Sequence, residues 1–341
     1  MIELTAKNVF EYLVDNGHLF PAGADRNAEV TVLEGGISNL TVLVKTSRQS
    51  LVVKQSLGKL NVKGEWLADR ARILREAAAI GAYSKVLSNG EIPGLLFVDE
   101  DNFIIGIEEV ERPATVWQVA IDSGIVMPDH ARIAGQTLAR MHSAVPNQVD
   151  LELLNDLSHL NELRINPYFV HAAIANPMWA DKLETATESL LSHQTDLVHG
   201  DFAPKNLFIR NTDPQITVLD FEVAHMGNPA FDLAFFISHL VIDAHYAPSL
   251  RSDFLSAART FWGGYQSQKR IPTTARLEQD TALLLPCLLL ARVDGLSRVE
   301  YLSESDRDSV RATAYGLLEA DTGCIHRSIE DSIGSRQLIA S

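Results

Sequence analysis

The chain has 341 residues, and its 44 acidic and 29 basic side chains give a formal net charge of −15. This length is enough for two lobes, each with its own core. A charge this negative argues against binding to the phosphate backbone of nucleic acids, which requires a basic face. The two cysteines are far apart and in no paired motif, so they suggest neither a disulfide framework nor a zinc site, and we expect a cytoplasmic location.

The first third of the chain predicts a small lobe built on an antiparallel sheet. Strand-like runs rich in β-branched residues flank the glycine pair of "VTVLEGGISNLTVLVKT", residues 30–46. We place the end of this lobe near residue 110, just before Pro113. The other predicted elements are a helix over 5–19, a strand over 50–55, a helix over 66–87 and a hairpin over 94–110 that turns at 99–102.

The rest of the chain predicts a larger, mainly helical lobe. An apolar run at 283–291 contains Pro286 and is too short to span a bilayer, so we expect a buried helix and no membrane association. The predicted helices cover 128–143, 172–193 and most of 232–320, and the short strands cover 197–198, 206–210 and 216–220. The fold class is therefore α+β, with residues 1–110 as the N-lobe and 111–341 as the C-lobe.

Two features of the N-lobe are candidates for phosphate binding. The turn "EGGISN" at Glu34–Asn39 lets the backbone approach phosphate oxygens, although glycine pairs are commoner as plain hairpin turns. Lys54 lies in an otherwise apolar strand and needs a partner, for which Glu76 on the next helix is the candidate. The alternative is a surface lysine on an edge strand. The candidate contacts in the turn are Gly35, Gly36, Ser38 and Asn39.

The most specific pattern is the loop "LVHGDFAPKNLFI", residues 197–209, followed by "ITVLDFEVAH", residues 216–225. Asp201 can accept a proton from a hydroxyl or orient it. Asn206 offers a neutral oxygen and Asp220 a charged one, and Mg²⁺ prefers a few such oxygens together with phosphate oxygens and water. A hairpin would bring Asn206 and Asp220 together. The alternative is that Asp201 and Asn206 only cap turns.

Two further polar residues are expected to support this loop. We interpret His199 as a residue whose ring bonds backbone groups and shapes the loop, in preference to a general base. Asp232 precedes an apolar helical run, so it is either a helix N-cap or a brace for the loop, and we favour the brace.

These motifs resemble the aminoglycoside phosphotransferase and choline kinase-like family, which has the protein-kinase fold. The resemblance rests on "HGDFAPKN" and "LDFEVAHMGNPAFDLA" and extends over nearly the whole chain. It implies a two-lobe protein-kinase-like fold, a nucleotide-binding N-lobe, ATP and Mg²⁺ as cofactors, and transfer of the γ-phosphoryl group to a hydroxyl of a small molecule. It also implies Asp201 as catalytic base, Asn206 and Asp220 as metal ligands, Lys54 on the phosphates with Glu76 as its partner, and the backbone near Glu109 and Val110 at the adenine.

One branch of this family, the 5-methylthioribose kinases, shows a closer likeness. Its helix near the N-terminus is similar to "LTAKNVFEYLVDNGHL", and its Asp-x-Glu pair corresponds to Asp220 and Glu222, which implies Glu222 as a second acidic group at the metal. Arg292 in "LLLARVDGLSRVEYL" looks like the arginine region that binds the substrate in that branch. The branch differs from this chain in the catalytic loop, because it lacks the residue equivalent to Asn206.

The surroundings of Arg292 decide between acceptor classes. An unpaired buried guanidinium is costly, so Arg292 must reach solvent, a carboxylate or a ligand. Asp294 is the simple partner; if Arg292 instead faces the cleft, it would repel polycationic aminoglycosides and tolerate a neutral sugar. We assign Arg292 and Asp232 to the substrate side of the site.

Several alternatives remain open from the sequence. A sugar-like acceptor such as methylthioribose is the first hypothesis, and an aminoglycoside or an amino alcohol such as choline is the second. A non-catalytic nucleotide-binding protein on the same fold is a third, against which all four of Lys54, Asp201, Asn206 and Asp220 are present. Monomer and homodimer are both open as assemblies.

Overall fold

A five-stranded antiparallel sheet forms the first part of the chain in the computed structural model. The structure describes residues 1–19, 28–33, 39–58, 69–210, 215–268 and 274–334. The strands are β1 Glu29–Val32, β2 Asn39–Lys45, β3 Ser50–Ser56, β4 Leu95–Asp99 and β5 Ile104–Glu108, in the order β1-β2-β3-β5-β4. The central strand β3 is buried along nearly its whole length, as its run of apolar and β-branched residues predicts.

Two helices accompany this sheet. Helix α1 (Val9–Asp15) is shorter than the predicted span 5–19, and its apolar face packs on residues of β2, β3 and β5. Helix α2 (Arg72–Tyr83) lies between the sheet and the C-lobe and shares a core with both. Because α2 has neighbours on more than one side, polar residues of this helix such as Glu76 are buried along with its apolar face.

Short strands connect the two lobes and shape the start of the C-lobe. The predicted boundary near residue 110 falls between β5 and β6 (Thr115–Val116), which pairs with a strand of the C-lobe. Strands β7, β8 and β9 match predicted strands, whereas β6 and β10 were not predicted. The strands are β7 Asp196–Val198, β8 Leu207–Ile209, β9 Ile216–Val218 and β10 His225–Gly227; β6-β8-β9 form one sheet and β10-β7 another.

Helices make up most of the C-lobe. The predicted helix over 172–193 is interrupted, because a 3₁₀ turn at Pro177–Trp179 separates α7 from α8. The bounds are α3 Trp117–Asp122, α4 Pro128–Met141, α5 Gln148–Asn155, α6 Ser158–Leu160, α7 His171–Ala175, α8 Ala180–Ser192, α9 Ala230–Tyr246, α10 Arg251–Gln268, α11 Ala275–Asp294, α12 Glu304–Ala320 and α13 Ile325–Ile329. Two π-helical segments complete the set, at Asn161–Val170 and Glu330–Gly334.

The core of the C-lobe centres on α9, α10 and α11. Nearly every residue of α9 is buried, in keeping with a helix that is apolar all round. Helix α11 contains Pro286 and is buried as predicted. Among the described residues, no helix is both long enough and apolar enough to cross a membrane. The predicted two-lobe α+β architecture is confirmed.

Candidate active site

The predicted contact between Lys54 and Glu76 is present at the interface of β3 and α2. Lys54 Nζ lies 2.7 Å from both carboxylate oxygens of Glu76 and 3.4 Å from Asp220 Oδ1 of the C-lobe. Only 8% of the lysine is exposed. Burial alone would lower the pKa of Lys54, but the charges of Glu76 and Asp220 raise it above its usual value, so the ammonium stays protonated.

The loop after β7 is fixed by a buried carboxylate. Asp232, at the start of α9, accepts hydrogen bonds from the backbone N–H groups of His199 (2.7 Å) and Gly200 (2.9 Å), and its Oδ2 lies 3.1 Å from His142 Nε2. Gly200 has φ +75°, and a Cβ there would lie 2.5 Å from the Val223 carbonyl oxygen, so the loop requires glycine at this position. Asp232 therefore braces the loop.

The structure shows what the two supporting residues, Asp232 and His199, contact. Asp232 has no exposed surface, and its carboxylate is occupied by the loop and His142, which favours the role of a brace over the predicted contact with substrate. His199 agrees with the loop-shaping interpretation, because its Nε2 bonds the Leu219 carbonyl at 3.0 Å and its Nδ1 accepts from Asp201 N–H at 3.2 Å. Burial lowers the pKa of His199, which keeps the ring neutral.

Asp201 is surrounded by donors. Arg164 Nη2 lies 2.8 Å from Asp201 Oδ1, and Lys205 Nζ lies 2.8 Å from Oδ2. Asn206 Nδ2 donates to Oδ2 and to the Asp201 backbone carbonyl, both at 2.9 Å. Burial alone would raise the pKa of Asp201, but the charges of Lys205 and Arg164 hold it well below its usual range. Asp201 is thus a firmly ionised acceptor of fixed orientation.

The two cations on Asp201 are not among the residues predicted from the sequence. Lys205 lies four residues after Asp201 inside the quoted motif, so its spacing across a short 3₁₀ turn is a signal that could have identified it. Arg164 gives no such signal, because it lies in the π-helix Asn161–Val170, which contains Pro167, and is 37 residues from Asp201 in sequence. Its Nε also donates to the Gly200 carbonyl at 2.8 Å, which ties this helix to the loop.

Asp220 and Asn206 come together at the end of the β8–β9 hairpin. The backbone N–H of Leu219 donates to the Asn206 carbonyl at 2.9 Å, and Asp220 adopts a left-handed conformation with φ 69°. A non-glycine residue with this φ is strained, and such strain is concentrated at functional sites. Because Asn206 turns its amide nitrogen toward Asp201, its Oδ1 is the atom available as a ligand.

The side-chain oxygen atoms of Asn206, Asp220 and Glu222 fit Mg²⁺ only in combination with a nucleotide. Among the residues that the structure describes, no three His, Cys, Asp or Glu side chains converge as a metal site by themselves. An amide oxygen and one or two carboxylates leave several of the six Mg²⁺ positions for phosphate oxygens and water, as Mg²⁺ prefers. The set of Asn206, Asp220 and Glu222 therefore has the right chemistry, and its role as a ligand set stays a prediction.

Glu222 bridges the two lobes. Its Oε2 accepts from Asn39 Nδ2 at 3.2 Å and lies 3.3 Å from Arg72 Nε. Burial and the nearby charge of Asp220 raise the pKa of Glu222 to about 7. The carboxyl group is therefore close to its titration point at neutral pH, and either a cation or a proton can neutralise it.

Only some of the other residues predicted to contact the nucleotide lie in the described part of the chain. Gly35, Gly36 and Ser38 lie outside the described residues. Asn39, at the start of β2, is buried and faces Glu222. Glu109 and Val110 follow β5; the Glu109 side chain lies 2.8 Å from Lys45 Nζ, so any contact of this position with adenine would involve the backbone.

Arg292 is not paired with Asp294. Asp294 instead binds Arg311 of α12 at 2.7 Å and accepts from Asn176 at 3.1 Å. Arg292 Nη1 donates to the Ser297 carbonyl, to Ser297 Oγ at 3.0 Å and to Tyr168 Oη at 3.3 Å. The simple partner considered from the sequence is therefore excluded.

The assembled site holds the chemical groups that phosphoryl transfer requires. It combines a buried lysine, a strained carboxylate and an ionised, oriented aspartate at the junction of two lobes. These are the kinds of group that could bind phosphates, hold a metal ion and accept a hydroxyl proton.

Comparisons with known proteins agree with this chemistry. Residues 29–267 match the model of the family described as Phosphotransferase enzyme family. Methylthioribose kinase from Bacillus cereus (strain G9842) is 23% identical over 359 residues, covering 91% of this chain and 89% of its own. A choline/ethanolamine kinase family protein from Mesorhizobium loti superposes with a TM-score of 0.52 at 14% identity, covering 97% of this chain and 100% of its own. Spectinomycin phosphotransferase in complex with ADP and spectinomycin gives 0.52 at 13% identity, covering 94% and 100%.

The resemblance inferred from the catalytic-loop motifs is confirmed at two levels. The structural neighbours share the two-lobe kinase-like fold, and the family match includes the glycine turn, Lys54 and both C-lobe motifs. The chain therefore belongs to the phosphotransferase enzyme family and is a small-molecule kinase that acts on a hydroxyl group.

Proposed function

We propose that this enzyme transfers the γ-phosphoryl group of ATP to a hydroxyl of a sugar-like acceptor, with Mg²⁺ as cofactor. The observation that supports it best is the convergence of Lys54, Glu76, Asp220, Asn206 and Asp201 from both lobes. The acceptor oxygen forms a bond to the γ-phosphorus as the bond from phosphorus to the β–γ bridging oxygen breaks, and ADP leaves. Bound Mg²⁺ would neutralise charge on the phosphate oxygens.

Each residue has a distinct task in this proposal. Lys54, oriented by Glu76, binds the α- and β-phosphates. Asp201 accepts a hydrogen bond from the acceptor hydroxyl and aims its oxygen at the γ-phosphorus. Lys205 and Arg164 hold the pKa of Asp201 low, so Asp201 first orients the hydroxyl by accepting its hydrogen bond. It accepts the proton only when the bond from the oxygen to phosphorus forms, because that bond makes the proton more acidic.

The names of the curated relatives suggest the acceptor class. They are called methylthioribose kinases, and their acceptor would be a neutral thiosugar. On the C-lobe side of the site, Arg292 is in no ion pair with a described residue, and its charge disfavours polycationic aminoglycosides and quaternary amino alcohols.

The direct test is Mg²⁺-dependent ADP release with a panel of acceptors. The panel contains 5-methylthioribose and other sugars, kanamycin-type aminoglycosides, and choline with ethanolamine. We expect ADP release with sugar-like acceptors that is lost in Asp201→Asn. Efficient phosphorylation of kanamycin or choline, with sugars inert, would overturn the sugar-like assignment.

A further inference from the structure

Three cations lie around one tyrosine in the C-lobe half of the site. The guanidinium carbon of Arg164 lies 5.3 Å from the ring centre of Tyr168, and that of Arg292 lies 5.6 Å from the same ring centre. Lys205 joins them through Asp201, which it shares with Arg164. The sum of the two ring distances is the most that can separate the guanidinium groups, a span that one sugar-sized molecule can bridge.

The three cations differ in how their charge is balanced. Arg164 and Lys205 both pair with Asp201, and the nearby charge of Asp220 also raises the pKa of both groups. Arg292 is in no ion pair with any described residue, and the groups it contacts, Tyr168 and Ser297, are neutral. Its Nε is buried with no hydrogen-bond partner in the described chain. Of the three cations, Arg292 is therefore the one without an ion-pair partner among the described residues.

Two neutral side chains beside Arg292 respond to its charge. Burial raises the pKa of a tyrosine, yet the charges of Arg292 and Arg164 bring the pKa of Tyr168 below its usual value. His239 lies on α9 one turn after Phe235, whose ring centre lies 6.2 Å from that of Tyr168. Burial and then the charge of Arg292 lower its pKa to about 3, so the histidine adds no further charge.

The nearby carboxyl group of Asp243 does not balance the positive charge of Arg292. Asp243 shares the neighbourhood of Tyr301 with Arg292 and accepts a hydrogen bond from Tyr301 Oη at 2.6 Å. Burial raises the pKa of Asp243 to about 7, although the Gln118 amide lies close enough to act in the opposite direction. At neutral pH this group is only partly ionised and is already held by Tyr301.

From this arrangement we infer that the acceptor has an oxyanion, a carboxylate or a phosphate, that pairs with Arg292 while its reacting hydroxyl lies at Asp201. Ser297 and Tyr168 hold this planar guanidinium through Nη1 and leave Nε without a partner in the described chain, so Nε can donate to such a group. The inference rests on the proposed kinase function and narrows it. Methylthioribose lacks this charge, so we expect it to be a poorer acceptor than an acidic sugar.

Matched sugars test the inference by binding. Isothermal titration to the full-length enzyme with Mg²⁺ and ADP compares D-glucuronate, D-glucose and D-glucosamine, and in parallel ribose 5-phosphate and 5-methylthioribose. We expect an acidic probe to bind roughly ten- to a hundredfold more tightly than its neutral counterpart, and the amino sugar to bind least. The glucuronate and ribose 5-phosphate titrations distinguish a carboxylate from a phosphate. Equal binding of acidic and neutral probes, or no binding of any probe at millimolar concentration, would overturn the inference.

Variants then assign the preference to Arg292. Arg292→Ala should abolish the preference for the acid, and Arg292→Lys should keep part of it because the charge remains. Arg132→Ala, which removes an exposed arginine of α4 and changes the net charge equally, should keep the preference. An acid preference that survives in a folded Arg292→Ala would contradict the inference.

Kinetic measurements distinguish binding of the acceptor by Arg292 from contact of Arg292 with the transferring phosphoryl group. They also distinguish failure of this inference from failure of the proposed kinase function. If Arg292 binds the acceptor, Arg292→Ala should raise KM for the acidic sugar about tenfold or more, with a smaller change in kcat. An equal loss of kcat for acidic and neutral acceptors would place Arg292 on the phosphoryl group instead and overturn the inference. If neutral sugars are phosphorylated and acids are not, the inference fails while the kinase function stands. If acids bind through Arg292 but no acceptor releases ADP, the proposed function fails and the oxyanion site stands.

Discussion

At the scale of single residues, Asp201 shows how its neighbours set its chemistry. Both of its carboxylate oxygens are engaged, one by Arg164 and the other by Lys205 and Asn206. A carboxylate held in this way is a weak base but a rigid hydrogen-bond acceptor, and rigid placement of the attacking hydroxyl is worth much of the barrier in phosphoryl transfer. In the proposed reaction, the same two cations would stabilise negative charge that develops beside Asp201.

Replacing Asp201 by Asn tests this role. The amide keeps the shape but lacks the charge that orients the hydroxyl and balances Arg164 and Lys205, so turnover should fall by about 10²–10⁴-fold. ATP binding, measured by titration calorimetry, should persist because Lys54 and Asp220 are untouched. Unchanged turnover in this variant would remove Asp201 from the mechanism.

Glu222 predicts a pH-dependent requirement for Mg²⁺. Burial and Asp220 raise the pKa of Glu222 to about 7, so the group is mostly protonated below that pH and ionised above it. Since only the carboxylate is a good ligand, the Mg²⁺ concentration for half-maximal ADP release should fall as the pH rises from about 6 to about 8. In Glu222→Gln this fall should be absent. If the two enzymes show the same dependence, Glu222 serves only to hold Asn39 and Arg72.

At the scale of elements, the first turn of α9 positions the catalytic loop. Two backbone N–H groups of the loop donate to Asp232, and Gly200 supplies the left-handed conformation that lets them point inward. The contact joins a helix to a loop more than thirty residues earlier in sequence, and His142 of the segment after α4 completes it. Loop geometry therefore depends on the packing of the helical core.

Removing this brace should damage both stability and turnover. Asp232→Ala leaves two buried N–H groups and His142 without their acceptor, so the free energy of unfolding should fall by about 3 kcal/mol or more. In the wild-type enzyme, burial alone would raise the pKa of Asp232, but hydrogen bonds and the nearby His142 lower it in the folded state. The carboxylate therefore stabilises the fold at pH values above the pKa that Asp232 has when unfolded, and this contribution is lost as the pH falls through the folded-state pKa. Denaturant unfolding of Asp232→Ala is compared with that of Asp181→Ala, an exposed aspartate in the first turn of α8 that should have little effect. Equal stabilities would contradict the brace.

The elements also show how far sequence patterns reach. The strands β2, β3 and β5 and the loop around Asp201 were predictable because their signals are local: β-branched runs, a glycine turn and a dense polar motif. Asp294 was a misleading partner for Arg292, because residues two apart on a helix face different directions. Arg164 was not predictable, since its π-helix has no regular apolar period and its partner is far away in sequence.

At the scale of the whole molecule, several polar contacts between the lobes lie at the site. Lys54 reaches Asp220, Glu222 reaches Asn39 and Arg72, and Arg75 Nη1 donates to the Ala224 carbonyl at 3.3 Å. At the site, acidic groups of the C-lobe therefore face cations of the N-lobe. The negative charge of Asp220 is balanced across this interface only while Lys54 is protonated. A bound nucleotide with Mg²⁺ would add contacts to both sides of the same interface.

A last prediction links this interface to binding. MgATP at about 100 times its Kd should stabilise the enzyme by about 2.7 kcal/mol, a rise of a few degrees in Tm. Lys54→Met should lose this shift and also unfold more easily, because Glu76 is left buried without its partner. Lys45→Met is the matched control from the same sheet: its pair with Glu109 is exposed at the lysine and contributes about 1 kcal/mol at most, so both the Tm and the MgATP shift should be nearly unchanged. A full MgATP shift in Lys54→Met would show that Lys54 does not bind the phosphates, since its pairing with Glu76 would then be purely structural.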